Sequence, residues 1–100
     1  MGILRNQQSK FAQLTAHLIL FANKRGYEVT LGDAYAKTGH KANSLHYSRL
    51  AIDLNLFRSG KYLGETANHE ELGMYWESLD PDCRWGGRFN DGNHYEMCLP

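Results

Sequence analysis

The segment Leu50-Ala51-Ile52-Asp53-Leu54-Asn55-Leu56-Phe57 constrains the fold more than any other part of the chain. Its apolar, β-forming run reads as a central strand buried on at least one face. Asp53 sits inside that run, and a carboxylate there is costly unless something compensates it. His46 precedes it by seven residues, in Ser44-Leu45-His46-Tyr47. A fold for this chain must therefore supply Asp53 with a partner, either a basic side chain or a cation.

The rest of the pattern gives the strand its companions. Leu4, Phe11, Leu14, Leu18 and Phe21 recur at helical spacing, which predicts an amphipathic helix over about 5–25 with His17 on its solvated side. Asn23-Lys24-Arg25-Gly26 closes it, with basic residues at the negative end of the dipole and glycine as the stop. Residues 27–31 (YEVTL) alternate as a strand, and Ser59-Gly60 predicts a hairpin into a short strand over Lys61 to Leu63. A second helix spans about 68–79, with Asn68 as N-cap and Glu71 three residues on, and Pro81 follows its end. His40 and His69 read as exposed. Two turn signals, Gly86-Gly87 and Asp91-Gly92, precede a terminal strand of about four residues. The order α, β, loop, β, β, α, loop, β predicts a small α+β domain over residues 1–100, with an antiparallel sheet and two main helices; a cation as the partner of Asp53 would put a metal site at that sheet.

Composition excludes several function classes. Eleven basic residues balance eleven acidic ones, so no cationic face points to nucleic acid or to an anionic membrane. The apolar run Leu18-Ile19-Leu20-Phe21-Ala22 is far shorter than the roughly 20 residues a bilayer span needs. The N-terminus lacks a signal-peptide layout, so the expectation is a chain made in a cytoplasm. Cys83 and Cys98 admit three readings: free thiols in a reducing compartment, a disulfide outside it, or metal ligands without a C-x-x-C pair.

Metal binding answers the question Asp53 poses. Imidazole and carboxylate both ligate zinc, and a dication offsets a buried negative charge. His46 and Asp53 supply two ligands, and His94 at the start of the last strand supplies a third. Asp91, three residues before His94, is placed to take a proton from an attacking water. Each residue also has a plainer reading. His46 is then a polar loop residue, Asp53 an ion-pair partner of Arg49 or Arg58, Asp91-Gly92 a turn and His94 a hydrogen-bonded sheet histidine. Cys83, His94 and Cys98 would alternatively make a structural zinc or disulfide-stapled interaction module.

The stretches SLHYSRLAIDLNLF and WGGRFNDGNHYEM together resemble the M15 zinc peptidases, in particular the phage and bacterial branch that cleaves peptidoglycan stem peptides. That branch holds L-alanyl-D-glutamate endopeptidases and related D-alanyl-D-alanine carboxypeptidases. Ser44, His46 and Asp53 match its S-x-H-x6-D signature, Trp85-Gly86-Gly87 its Trp-Gly-Gly stretch, and Asp91 and His94 its acidic residue three before a final histidine. The resemblance implies one zinc ion per chain, held by His46, Asp53 and His94. Asp91 would be the general base, and Ser44 would hold a turn or back a ligand. Aspartate at position 91 favours an endopeptidase, because the endopeptidase branch carries aspartate there while many other relatives carry glutamate. The implied protein is a monomeric, phage endolysin-like enzyme that inserts in no membrane, reaches the wall by a holin or by lysis, and carries no separate wall-binding module. The chain departs from the family at Ala36, where relatives commonly have an arginine for a substrate carboxylate or the oxyanion. Lys37 or Arg49 are the candidates to replace it. A catalytically silent zinc-containing binding domain of the same fold is the alternative that this departure keeps open.

Overall fold

The computed structural model describes residues 2–33 and 48–99. Helix α1 (Ile3–Lys24) is followed by strand β1 (Glu28–Leu31), strand β2 (Ala51–Arg58) and the two-residue strand β3 (Lys61–Tyr62). A 3-10 turn (Thr66–His69) leads into helix α2 (Glu70–Leu79). Strand β4 (Cys83–Trp85), a second 3-10 turn (Gly86–Phe89) and strand β5 (His94–Met97) complete the fold. All strand pairs are antiparallel, in the order β1-β2-β5-β4, with β3 pairing the far end of β2. This is the expected α+β architecture. Among the described residues, no helix is long and apolar enough to cross a membrane.

Helix α1 ends on a Schellman motif. Gly26 takes φ 89°, the Tyr27 N–H donates to Ala22 O at 3.0 Å, and the Gly26 N–H donates to Asn23 O at 3.1 Å. Its inward stripe is Gln7, Phe11, Thr15, Leu18 and Ala22, while Leu4 is exposed. The stripe therefore begins with a polar residue where apolar spacing predicted leucine. Gln7 is buried because its amide donates to Asp82 Oδ2 at 3.0 Å and to Cys98 O at 2.8 Å, tying α1 to the end of the chain.

Strand β2 organises the core by its two-residue period. Leu50, Ile52, Leu54 and Leu56 are buried with Tyr95 and Met97 of β5 and Cys83 and Trp85 of β4. The helices pack on this face, with Phe11 edge-on to Trp76 and Trp76 edge-on to Tyr95. The β2–β3 hairpin turns at Ser59 (φ 53°) and Gly60 (φ 77°), both in the left-handed region that a two-residue connection favours. Cys83 and Cys98 are free thiols, and burial pushes the Cys83 thiol up to about 12.

Two expectations need correction. Asn68 does not cap α2: it is the N3 residue of the 3-10 turn, whose N-cap is Glu65, and its side chain accepts the Glu65 N–H at 2.9 Å in a capping box, while His69 is the N-cap of α2. His69 is buried, at 2% exposure, with Nδ1 2.8 Å from the Tyr95 hydroxyl. Burial lowers its pKa to about 4, against the weaker pull of a backbone hydrogen bond at Leu63. The folded state thus refuses a proton that the unfolded chain takes up near 6.5, so stability falls as pH drops from about 6.5 to about 4. Urea unfolding of the metal-free protein should lose on the order of 3 kcal/mol across that window. His69→Phe should flatten the slope there, and an unchanged slope in the variant would overturn the assignment.

Candidate metal centre

Asp53 and His94 are directly opposed across the β2–β5 pair, on the sheet face opposite the apolar core. Backbone bonds hold this register. The Asp53 N–H donates to Asp33 O at 2.8 Å, and Asp53 O accepts the Gly32 N–H at 2.8 Å. The Leu54 N–H donates to Asn93 O at 2.9 Å on the other edge. His94 is buried at 7% exposure, and its Nδ1 lies 3.4 Å from Asp53 Oδ1. Burial disfavours the imidazolium, yet the Asp53 and Glu96 carboxylates outweigh it and raise the His94 pKa to about 9.

The loop before β5 is built around glycines. The Gly86 carbonyl accepts the Asp91 N–H at 2.9 Å, and the Asp91 carbonyl accepts the His94 N–H at 3.1 Å. A Cβ at Gly86 would stand 2.2 Å from Asp91 O and 2.7 Å from His94 Cβ, so only glycine permits this closure. Asn90 turns the chain with φ 66°. The result is an exposed Asp91 one tight turn before the buried His94.

Trp85 lies in the core, 5% exposed, with its indole N–H donating to Gly92 O at 2.7 Å. Its ring packs between Gly73 and Gly87, where added Cβ atoms would stand 2.1 and 2.2 Å away. This is the packing role that the sequence leaves open for Trp85 beside its place as a cleft candidate. Arg49, φ 56°, is exposed in the turn before β2. Arg58, the other basic residue considered for Asp53, donates to Arg25 O at 2.7 Å and stacks over Tyr27. Ser44, His46, Ala36, Lys37 and His40 lie outside the described residues.

Sequence reading passed over three neighbours of His94. Glu96 is buried with Oε1 2.6 Å from His94 Nε2, and Arg84 of β4 donates from Nε to Glu96 Oε2 at 2.6 Å. Phe89, half exposed, stands edge-on to the His94 ring with centroids 5.8 Å apart. The available signal was the two-residue period, which sets His94 and Glu96 on one face of β5.

A family model described as D-alanyl-D-alanine carboxypeptidase matches residues 38–97, more than half of the chain. The chain belongs to the M15 peptidase family. M15 peptidases are generally zinc-dependent and act on peptidoglycan-related substrates. No curated protein matches the chain. Among the described residues, no group of three or more histidine, cysteine or acidic side chains is arranged to hold a metal ion. The pair that is described nonetheless fits zinc. Two ligand atoms on one tetrahedral zinc, each about 2.0–2.1 Å from it, stand about 3.3 Å apart. The Asp53 Oδ1 to His94 Nδ1 separation of 3.4 Å matches that bite, with a donor pair zinc accepts.

Gly86→Ala tests the loop. It should lower stability by about 1–3 kcal/mol and shift the backbone amide resonances of Asp91 and His94. A variant with wild-type spectra and wild-type unfolding would contradict the close packing.

Proposed function

We propose that this M15 peptidase is a zinc-dependent, phage endolysin-like enzyme that hydrolyses the L-alanyl-D-glutamate amide of the peptidoglycan stem peptide. His46, Asp53 and His94 would hold the metal. The observation that carries the reading is the 3.4 Å approach of Asp53 and His94 in strand register, one turn after Asp91. The chemistry supplied by bound zinc is Lewis-acid polarisation of the scissile carbonyl and activation of water.

The chain's own residues carry the proton. The Asp91 carboxylate accepts it from the attacking water and returns it to the amine nitrogen as the tetrahedral intermediate collapses. The backbone bonds from the Asp91 N–H to Gly86 O and from the His94 N–H to Asp91 O hold this residue one turn from His94 without burying it. Its exposure suits a base that must exchange protons with solvent between turnovers. A carboxypeptidase acting on D-alanyl-D-alanine is the second reading, favoured by the description of the matching family. Aspartate at 91 supports the first.

Asp91→Ala should keep one zinc per chain and lose about 10²- to 10⁴-fold in hydrolysis of purified peptidoglycan. Asp53→Ala and His94→Ala should lose the metal, whereas Cys83→Ser with Cys98→Ser should retain it. Zymography with metal analysis reads these outcomes, and mass spectrometry of released muropeptides identifies the bond. Equal clearing by wild type and Asp91→Ala would refute the assignment of the base. Release of D-alanine alone would select the carboxypeptidase.

A further inference from the structure

The two ring nitrogens of His94 face different partners. Nδ1 faces Asp53 across the β2–β5 pair, and Nε2 lies 2.6 Å from Glu96 Oε1 on the same strand. Glu96 is itself 5% exposed, and its other oxygen takes the Arg84 guanidinium through Nε at 2.6 Å and through Nη2. Its backbone is also anchored, since the Trp76 indole N–H donates to Glu96 O at 2.9 Å. An ion pair between β4 and β5 needs no burial, and burying a carboxylate is unfavourable unless its hydrogen bonds are met. Arg84, at 52% side-chain exposure, remains in contact with solvent. The buried member of the pair is the one that touches His94.

We propose that Glu96, held by Arg84, is a positioning residue that fixes the tautomer and ring orientation of His94 so that Nδ1 is the metal-binding atom. The inference rests on the zinc reading of the site. A neutral imidazole carries one N–H, and an ionised carboxylate can only accept. Metal binding would take the Nδ1 lone pair and leave the ring one proton, and the 2.6 Å contact with Glu96 gives that proton its acceptor at Nε2. The ring's remaining freedom is rotation about its side-chain bonds, and the Glu96 hydrogen bond removes it. Arg84 serves the same end one step back, because a carboxylate gripped on Oε2 presents Oε1 in one direction. The sheet makes the relay rigid: Arg84 pairs Glu96 directly, and Asp53 pairs His94 directly.

The test reads the metal and the imidazole rather than turnover. In zinc-loaded protein labelled with ¹⁵N-histidine, long-range ¹H–¹⁵N correlations should show His94 protonated at Nε2 and shifted by metal at Nδ1. Chelator competition should show Glu96→Ala binding zinc about 10- to 100-fold more weakly than wild type. Glu96→Gln, whose amide oxygen still accepts from Nε2, should recover most of that loss. An Nδ1–H tautomer in the loaded wild type, or wild-type affinity in Glu96→Ala, would overturn the proposal. The tautomer is read in the wild type, so it decides even if Glu96→Ala fails to fold. Loss of zinc in Asp53→Ala and His94→Ala with no loss in Glu96→Ala would refute positioning alone. Retention of zinc in Asp53→Ala and His94→Ala would instead refute the metal reading beneath it.

Discussion

The antiparallel register that sets Asp53 against His94 is the constraint on which the rest of the molecule depends. Side chains alternate along a strand, so one register decides both faces of the sheet. With Asp53 opposite His94, Ile52 opposes Tyr95, and Leu50, Leu54 and Leu56 turn to the helices. A one-residue slip of β2 would drive Asp53 into the packed layer of Trp76 and Leu72, away from His94, and would turn the leucines outward. The apolar core thus enforces the geometry of the polar face: burial of the leucine face makes any other arrangement of the carboxylates and the histidine unstable. Fold and site are consequences of a single pairing.

Precision at the polar face comes from how β4 and β5 are connected. Trp85 fills the layer between α2 and the sheet, and glycines on both sides of its ring, at 73 and 87, let helix and turn close on it. The Glu77 carboxylate adds two links from α2, accepting the Trp85 N–H at 3.0 Å and pairing with Arg88. With the indole locked, its N–H holds the Gly92 carbonyl, and the chain from Gly86 to His94 has little room to move. The Trp-Gly-Gly stretch is in this sense a packing device whose effect is felt at Asp91 and His94. That role acts through the backbone.

Legibility in the sequence followed period and length. The 22-residue helix, the eight-residue strand β2 and the Ser59-Gly60 hairpin all declared themselves through repeating patterns or positive-φ turn residues. Strand β4 did not, because three residues cannot show an alternation and the Gly-Gly that follows reads as a loop. The burial of His69 and Gln7 was equally hidden, since each is satisfied by a partner 26 or more positions away, in Tyr95, Asp82 and Cys98. Of the candidate site, the pairing of Asp53 with His94 was within reach of spacing and family likeness. Arg84 required the register, because only the sheet reveals that a residue of β4 shares a face with His94 and Glu96 of β5.

Charge on that face explains why the arrangement wants a cation. Asp53, Glu96 and Arg84 together carry one net negative charge, and Arg84 is engaged with Glu96. Glu96 stays ionised despite burial because His94 and Arg84 stabilise its charged form more than burial opposes it. Without metal the balancing charge is a proton on His94, which is why its pKa rises to about 9 in spite of burial. A divalent cation held by Asp53 and His94 would compensate the same carboxylates and would require that proton to leave. The two states would therefore compete for one electrostatic niche. The opening puzzle of a carboxylate in an apolar strand resolves the same way: Asp53 lies on the polar face, beside a ring able to carry either the charge or the metal.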